Sequence, residues 1–143
     1  MKIGELAKLT NCTVETIRFY EKTGLLPEAL RTESNYRDYQ PVHLERLRFI
    51  RNCRAFDMSH DEIRQLIMLV DSHAESCHSV NEILDEHIQH IEDRISELNM
   101  LVMQLKDLRQ QCQNQQSVDE CQIVQGLANL TLRERAEKHS HLG

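Results

Sequence analysis

One stripe of residues limits what this chain can fold into more than any other feature. Leu84, Ile88, Ile91, Ile95, Leu98, Val102 and Leu105 follow one another in alternating steps of four and three. That spacing keeps the side chains on one face of an α-helix and matches a heptad seam. It predicts a single helix over about Ser79–Gln111, far longer than the mean globular helix of about 11–12 residues. Such a helix wants a partner helix along its whole length, and no other stretch of the chain is long enough to supply one. A homodimer through this helix is the economical expectation. The competing reading packs the helix on its own domain.

Composition fits a helical protein. Among 143 residues there are four Gly, two Pro and no Trp. A chain so poor in turn residues and rich in Leu, Ile, Glu, Gln and Arg favours helices and all but excludes an all-β sandwich or barrel. No apolar run approaches the roughly 20 residues that span a bilayer. Met1-Lys2-Ile3-Gly4-Glu5 carries no secretory pattern. The expected location is cytoplasmic, with no membrane partner. Five Cys in such a compartment are better read as free, metal-bound or redox-active than as structural disulfides.

The first 70 residues read as short helices separated by turn signals. Ile3, Leu6 and Ala7 share a helical face, and Thr10-Asn11-Cys12 interrupts it. Thr13 caps a second helix with Val14 and Ile17 inward, and Gly24 closes it. Thr32-Glu33-Ser34-Asn35 followed by Tyr36-Arg37-Asp38-Tyr39 suits a small two-stranded wing. Pro41 opens a third helix with Leu44, Leu47 and Ile50 on its inner face. Ser59 and Glu62 form a capping box for a fourth, with Ile63, Leu66, Ile67 and Val70 inward.

Two short helices joined by a tight turn read as a helix-turn-helix. The outer face of the second helix is expected to carry Glu15, Thr16, Arg18 and Tyr20. Arg18 suits phosphate or guanine, Thr16 and Tyr20 suit phosphate, and Tyr36 and Arg37 at the wing tip suit backbone or minor groove. A bland helical bundle also fits this pattern. The net charge of −6 is unevenly spread: residues 1–70 hold 11 Lys and Arg against 10 Asp and Glu, and residues 71–143 hold 6 against 13. This excludes a protein that coats phosphate with its whole surface and leaves room for a small local basic face on the first half.

Ile3-Gly4-Glu5-Leu6-Ala7, Val14-Glu15-Thr16-Ile17-Arg18-Phe19-Tyr20-Glu21, Gly24-Leu25-Leu26-Pro27 and Asn35-Tyr36-Arg37-Asp38-Tyr39 together resemble the MerR family of transcriptional regulators. The long helix and the Cys-bearing end fit the same family. The resemblance implies a mainly α protein: a winged helix-turn-helix DNA-binding domain (1–70), a linker and long antiparallel coiled-coil dimerisation helix (71–111), and a metal-binding loop, short helix and flexible tail (112–143). It also implies an effector site near the coil ends. Its partners would be a pseudo-palindromic operator in promoter DNA and RNA polymerase, with regulation by distortion of the promoter rather than by simple blocking.

Cys77, Cys112 and Cys121 are the residues expected to carry the chemistry. Cys77 and Cys112 lie 35 positions apart across the predicted helix, roughly 50 Å at the α-helical rise. One chain cannot bring both to one ion, whereas an antiparallel partner can. The expected site therefore joins Cys112 and Cys121 of one subunit to Cys77 of the other, twice by symmetry. Three thiolates favour soft ions, Cd(II), Pb(II), Hg(II) and Zn(II), over Mg and Ca. They leave no open position for activating water, so no enzyme is expected. Cys12 and Cys53 read as packing residues.

Within the family, Ser76-Cys77-His78-Ser79-Val80-Asn81, Asp85-Glu86-His87-Ile88 and Cys121-Gln122-Ile123 look most like the cadmium- and lead-responsive regulators. The absence of His between Cys112 and Cys121 argues against zinc, and their spacing does not separate lead from mercury. His87 and His90, one helical turn apart, could share a second ion with His139 and His141; the alternative is exposed helix histidines and a disordered tail. A redox regulator with a reversible Cys112–Cys121 disulfide on the same DNA-binding frame is a second class of function, but it gives Cys77 no task.

Overall fold

The computed structural model describes residues 1–73, 76–112 and 117–129. The protein divides into two compact units, Met1–Asp85 and Glu86–Gly143. In the first unit α1 (Ile3–Thr10) and α2 (Val14–Thr23) make the helix-turn-helix. Asn11 breaks α1 in the left-handed region at φ 53°, a conformation that Asn tolerates better than most residues. The Thr13 side chain then accepts the Thr16 N–H at 3.1 Å and starts α2. Gly24 ends α2 at φ 81°, where a Cβ would be strained. Leu6 and Ile17 are fully buried where the two helices meet. Thr10, also buried, satisfies its hydroxyl by donating to the Leu6 carbonyl at 2.8 Å.

The wing is the antiparallel pair β1 (Leu30–Arg31) and β2 (Arg37–Asp38), with Leu30 opposite Asp38 and Arg31 opposite Arg37. Its base is tied down from two sides. The Met1 amino group donates to Asp38 Oδ1 at 2.7 Å and to the Tyr39 carbonyl at 2.8 Å. The charge-assisted bond from that ammonium holds the Asp38 carboxyl below its ordinary range. Tyr39 is buried and its hydroxyl donates to Glu21 of α2. Burial and that carboxylate together push the Tyr39 phenol well above its ordinary value.

Pro41 opens α3 (Pro41–Ala55). His43 accepts the Gln40 N–H through Nδ1 at 2.9 Å, and its Nε2 lies 3.2 Å from the Glu28 carbonyl. Ser59 and Glu62 cap α4 (His60–Asp71) reciprocally, at 3.1 and 2.9 Å. Leu47, Ile50 and Ile63 are fully buried in the core these helices share. The inward assignment of Val70 fails. It sits 57% exposed in the last turn of α4, on a shallow groove with Val42, Phe49 and Ile67.

The long helix α5 runs His78–Gln110, 33 residues. Val80 and Ile83 in its first turns pack against the core of the first unit. The predicted stripe is present and uncovered: Leu84, Ile88, Ile95, Leu98, Val102 and Leu105 are all exposed, and Ile91 is half-buried. The buried residues of α5 are instead His87 and Arg94. In the second unit a single 3₁₀ turn (Val118–Glu120) leads into α6 (Gln122–Asn129). α6 lies over the end of α5. A Cβ added at Gly126 would come 3.3 Å from Gln111 Oε1 and 3.7 Å from Leu108. Among the described residues no helix is long and apolar enough to cross a membrane.

Leu47 fills the centre of the first unit, so Leu47→Ala should leave a cavity that costs roughly 2–5 kcal/mol. Urea unfolding of the variant checks this; an unchanged midpoint would show that Leu47 is not a central core residue.

Candidate functional site

The outer surface of α2 and the wing form one basic face. Arg18, Lys22, Arg31 and Arg37, with Glu21 and Glu28, line a cleft of about 270 Å³. Arg18, Arg31 and Arg37 also line a neighbouring cleft with Lys2 and Tyr36. Four cations against two carboxylates set the sign of the local potential. Arg18 and Arg37 are exposed, Tyr36 is 73% exposed at the wing tip, and Thr16 is half-buried with its hydroxyl 2.8 Å from that of Thr13. Four of the five expected DNA-facing residues thus reach the surface of this unit.

Tyr20 does not, and its assignment to the outer face is corrected. It follows the buried Ile17 by three residues, which turns it to the inner side of α2. It is 8% exposed and meets His60 edge-on with ring centroids 5.8 Å apart. Burial raises its phenol pKa. Lys2, Lys22 and Arg31 went unnoticed in the sequence. Two signals were available: Lys22 is one helical turn after Arg18, and a hairpin with its turn at 32–36 sets Arg31 opposite Arg37.

The thiols fall into separate groups. Cys53 is buried in the first unit, where burial pushes its thiol up. Cys12 is half-buried, with Sγ 3.6 Å from the Thr10 carbonyl oxygen. Cys77 is exposed just before α5. His78 beside it pairs with Glu82 at 3.0 Å. At the other end of α5, Arg109 donates to the Cys112 carbonyl at 3.0 Å, and Cys112 and Cys121 are both half-buried. Backbone N–H groups of Val124 and Ile123, at the start of α6, hold the Cys121 thiol below its ordinary range. A side-chain hydrogen bond with Cys112 acts in the same direction. The fold therefore brings the two loop thiols of one chain into contact. Cys77 flanks the opposite end of a helix that is about 50 Å long at 1.5 Å per residue.

The expectation of exposed helix histidines fails at position 87. His87 is buried, while His90 is half-buried with Nε2 3.8 Å from Glu86. His139 and His141 lie outside the described residues.

A winged helix-turn-helix with a basic outer face and a long helix carrying an exposed heptad stripe defines a DNA-binding protein of the regulatory type. Comparison with known proteins makes this specific. Residues 1–68 match the model of the MerR HTH family of regulatory proteins, and residues 44–108 match the MerR DNA-binding model. The chain belongs to the MerR family; it is a DNA-binding transcriptional regulator and not an enzyme. It is 48% identical over 110 residues to a Haemophilus influenzae protein named HTH-type transcriptional regulator ZntR homolog, covering 77% of this chain and 82% of that one. It is 34% identical over 126 residues to the mercuric resistance operon regulatory protein of Bacillus cereus, covering 88% and 96%. Among solved structures it resembles the transcription regulator PbrR691 from Ralstonia metallidurans in complex with lead(II). That match has a TM-score of 0.80 and 49% identity, and covers 89% of this chain and 98% of that one.

The burial of Tyr20 has a direct test. Tyr20→Phe should leave operator affinity unchanged, because the lost hydroxyl faces the protein. Tyr20→Ala should cost about 3–5 kcal/mol of stability by removing a buried ring. Fluorescence anisotropy on operator DNA and urea unfolding read the two effects; weaker DNA binding by a fully stable Tyr20→Phe would restore a contact role.

Proposed function

We propose that this protein is a metal-responsive transcriptional regulator that senses Cd(II) or Pb(II), with Zn(II) or Hg(II) as further candidate effectors. In this reading it activates efflux or detoxification genes by distorting promoter DNA under RNA polymerase. The observation that carries the proposal is the placement of thiols around α5: two in contact beyond its C-terminus and a third before its N-terminus. Relatives named for lead, mercury and heavy metals support the effector class.

Residues 71–111 act as the dimerisation segment and residues 112–143 as the sensing end. The exposed stripe supports a homodimer, since covering the exposed part of each Leu or Ile is worth about 1 kcal/mol. An antiparallel pair sets the start of one α5 beside the end of the other. Cys112 and Cys121 of one subunit then share an ion with Cys77 of its partner. Three sulfur donors fit a soft cation and offer nothing to Mg or Ca. On the DNA side, residues 1–70 read a pseudo-palindromic operator through Thr16, Arg18, Tyr36 and Arg37. His87 and His90, with His139 and His141, are a lesser candidate for a second ion.

Two experiments test this. Arg18→Ala and Arg37→Ala should each weaken operator binding and flatten its log–log salt dependence by roughly one unit. Unchanged affinity and slope in both folded variants would remove these residues from the interface. The second experiment mixes a Cys77→Ser subunit with one carrying Cys112→Ser and Cys121→Ser. Each homodimer lacks a complete three-thiol site, but the antiparallel heterodimer regains one, so thiolate-to-Cd(II) absorbance should return at one ion per heterodimer. A heterodimer no better than its parents would rule out the shared site.

A further inference from the structure

The wing is closed by its own hydrogen bonds. The Thr32 N–H donates to the Tyr36 carbonyl at 2.9 Å, and the Tyr36 N–H to Thr32 Oγ1 at 3.1 Å. Arg31 reaches across the turn to the Asn35 carbonyl at 3.0 Å. A wing closed in this way changes its angle to α2 as one body, so that angle is set where the two are joined. Among the described residues, one side-chain hydrogen bond joins the end of the wing to α2, from the buried Tyr39 hydroxyl to Glu21. Its two ends stand beside the two arginines of the basic face. Glu21 follows Arg18 by three residues, about one helical turn, and Tyr39 follows Arg37 by two. Arg18, Glu21 and Arg37 line the same cleft. The bond therefore links the helix that carries one arginine to the strand that carries the other.

We propose that Glu21 and Tyr39 are a positioning pair for operator recognition: the bond between them fixes the spacing of Arg18 and Arg37, and that spacing gives the face its preference for operator over other duplexes. The pair rests on the DNA-facing role of Arg18 and Arg37 in the proposed function. Attraction of cations to phosphate is the same for every sequence. Backbone contacts add to specificity by fixing register for the groups that read bases, which requires both arginines at set positions. A face held in its bound geometry before DNA arrives spends no binding energy on ordering itself. Non-specific binding tolerates a wing that swings, so losing the bond falls on operator affinity more than on random-sequence affinity. The charge of Glu21 points the same way. A carboxylate among four cations lowers affinity for all duplexes alike, so what Glu21 contributes to DNA binding is geometry and not attraction.

The test uses full-length protein and two duplexes of equal length: the site that wild type selects from a random pool, and a random sequence. Fluorescence anisotropy over a salt series gives the ratio of the two affinities, and urea unfolding confirms that each variant is folded where it is measured. Tyr39→Phe keeps the buried ring edge-on to His43, at 5.4 Å between centroids, and leaves the Met1 bonds to Asp38 and the Tyr39 carbonyl in place. It should lower the ratio by roughly three- to tenfold, with the salt slope unchanged because no cation is lost. Glu21→Ala should lower the ratio by the same factor, even though removing the acid raises affinity for both duplexes. The double variant should be no worse than either single one, as expected of two residues acting through one bond. Glu21→Gln keeps an acceptor oxygen for the Tyr39 hydroxyl and should keep the ratio. An unchanged ratio in Tyr39→Phe, additive losses in the double variant, or a loss in Glu21→Gln as large as in Glu21→Ala would each overturn the pair. Arg18→Ala and Arg37→Ala separate this failure from that of the DNA-facing reading. If they weaken operator binding while Tyr39→Phe keeps the ratio, the pair alone is refuted. If neither weakens it, the reading fails and takes the pair with it.

Discussion

A helix of 33 residues that presents its apolar stripe to water is the constraint on which the rest of this molecule depends. Its length separates Cys77 from Cys112, so no single chain closes a site across it. Its uncovered Leu and Ile residues demand a second helix of equal length. The residues of α5 that are buried are polar, His87 and Arg94, so the chain's own packing does not answer the demand of the stripe. Under the proposed function this one physical fact sets two requirements, a partner helix and a site completed by that partner, and an antiparallel copy of α5 would meet both.

The DNA-binding unit solves a different problem, namely binding a polyanion with a chain of net charge −6. The solution is placement. Arg18 and Lys22 sit one turn apart on α2, and Arg31 and Arg37 sit opposite each other in the wing. Like charges across a strand pair disfavour each other, which a phosphate backbone would relieve. The wing holds this arrangement through the Met1–Asp38 ion pair and the Tyr39–Glu21 hydrogen bond.

Much of this was legible in the sequence where local chemistry decides structure. Thr13, Gly24, Pro41 and the Ser59–Glu62 pair mark helix ends through capping and backbone preference, and the helices begin or end there. The heptad stripe announced α5 to within a residue at each end. The contact between Cys112 and Cys121 could not be read the same way. It depends on α6 folding back over α5, which the close approach at Gly126 permits, and a polar spacer between two thiols does not encode that packing. Tyr20 was misassigned because an amphipathic aromatic suits either face, and the tertiary position of His60 decided which one. His87 was misread for the complementary reason: a polar residue on a long helix reads as solvated until the fold buries it.

In the proposed function, the route from the ion to DNA follows from where α5 begins. Cys77 immediately precedes the helix, and Val80 and Ile83 in its first turns pack against the core that also holds α2. Under the proposed function, a ligand to the ion is thus three residues from a side chain seated in the DNA-binding unit. Drawing Cys77 toward the partner's two thiols loads the start of α5, and a close-packed core passes a displacement on instead of absorbing it. The two basic faces of a dimer would then change their mutual orientation with occupancy. Linkage makes this reciprocal: if the ion favours one geometry of the paired DNA-binding units, promoter DNA held in that geometry tightens the ion by the same factor.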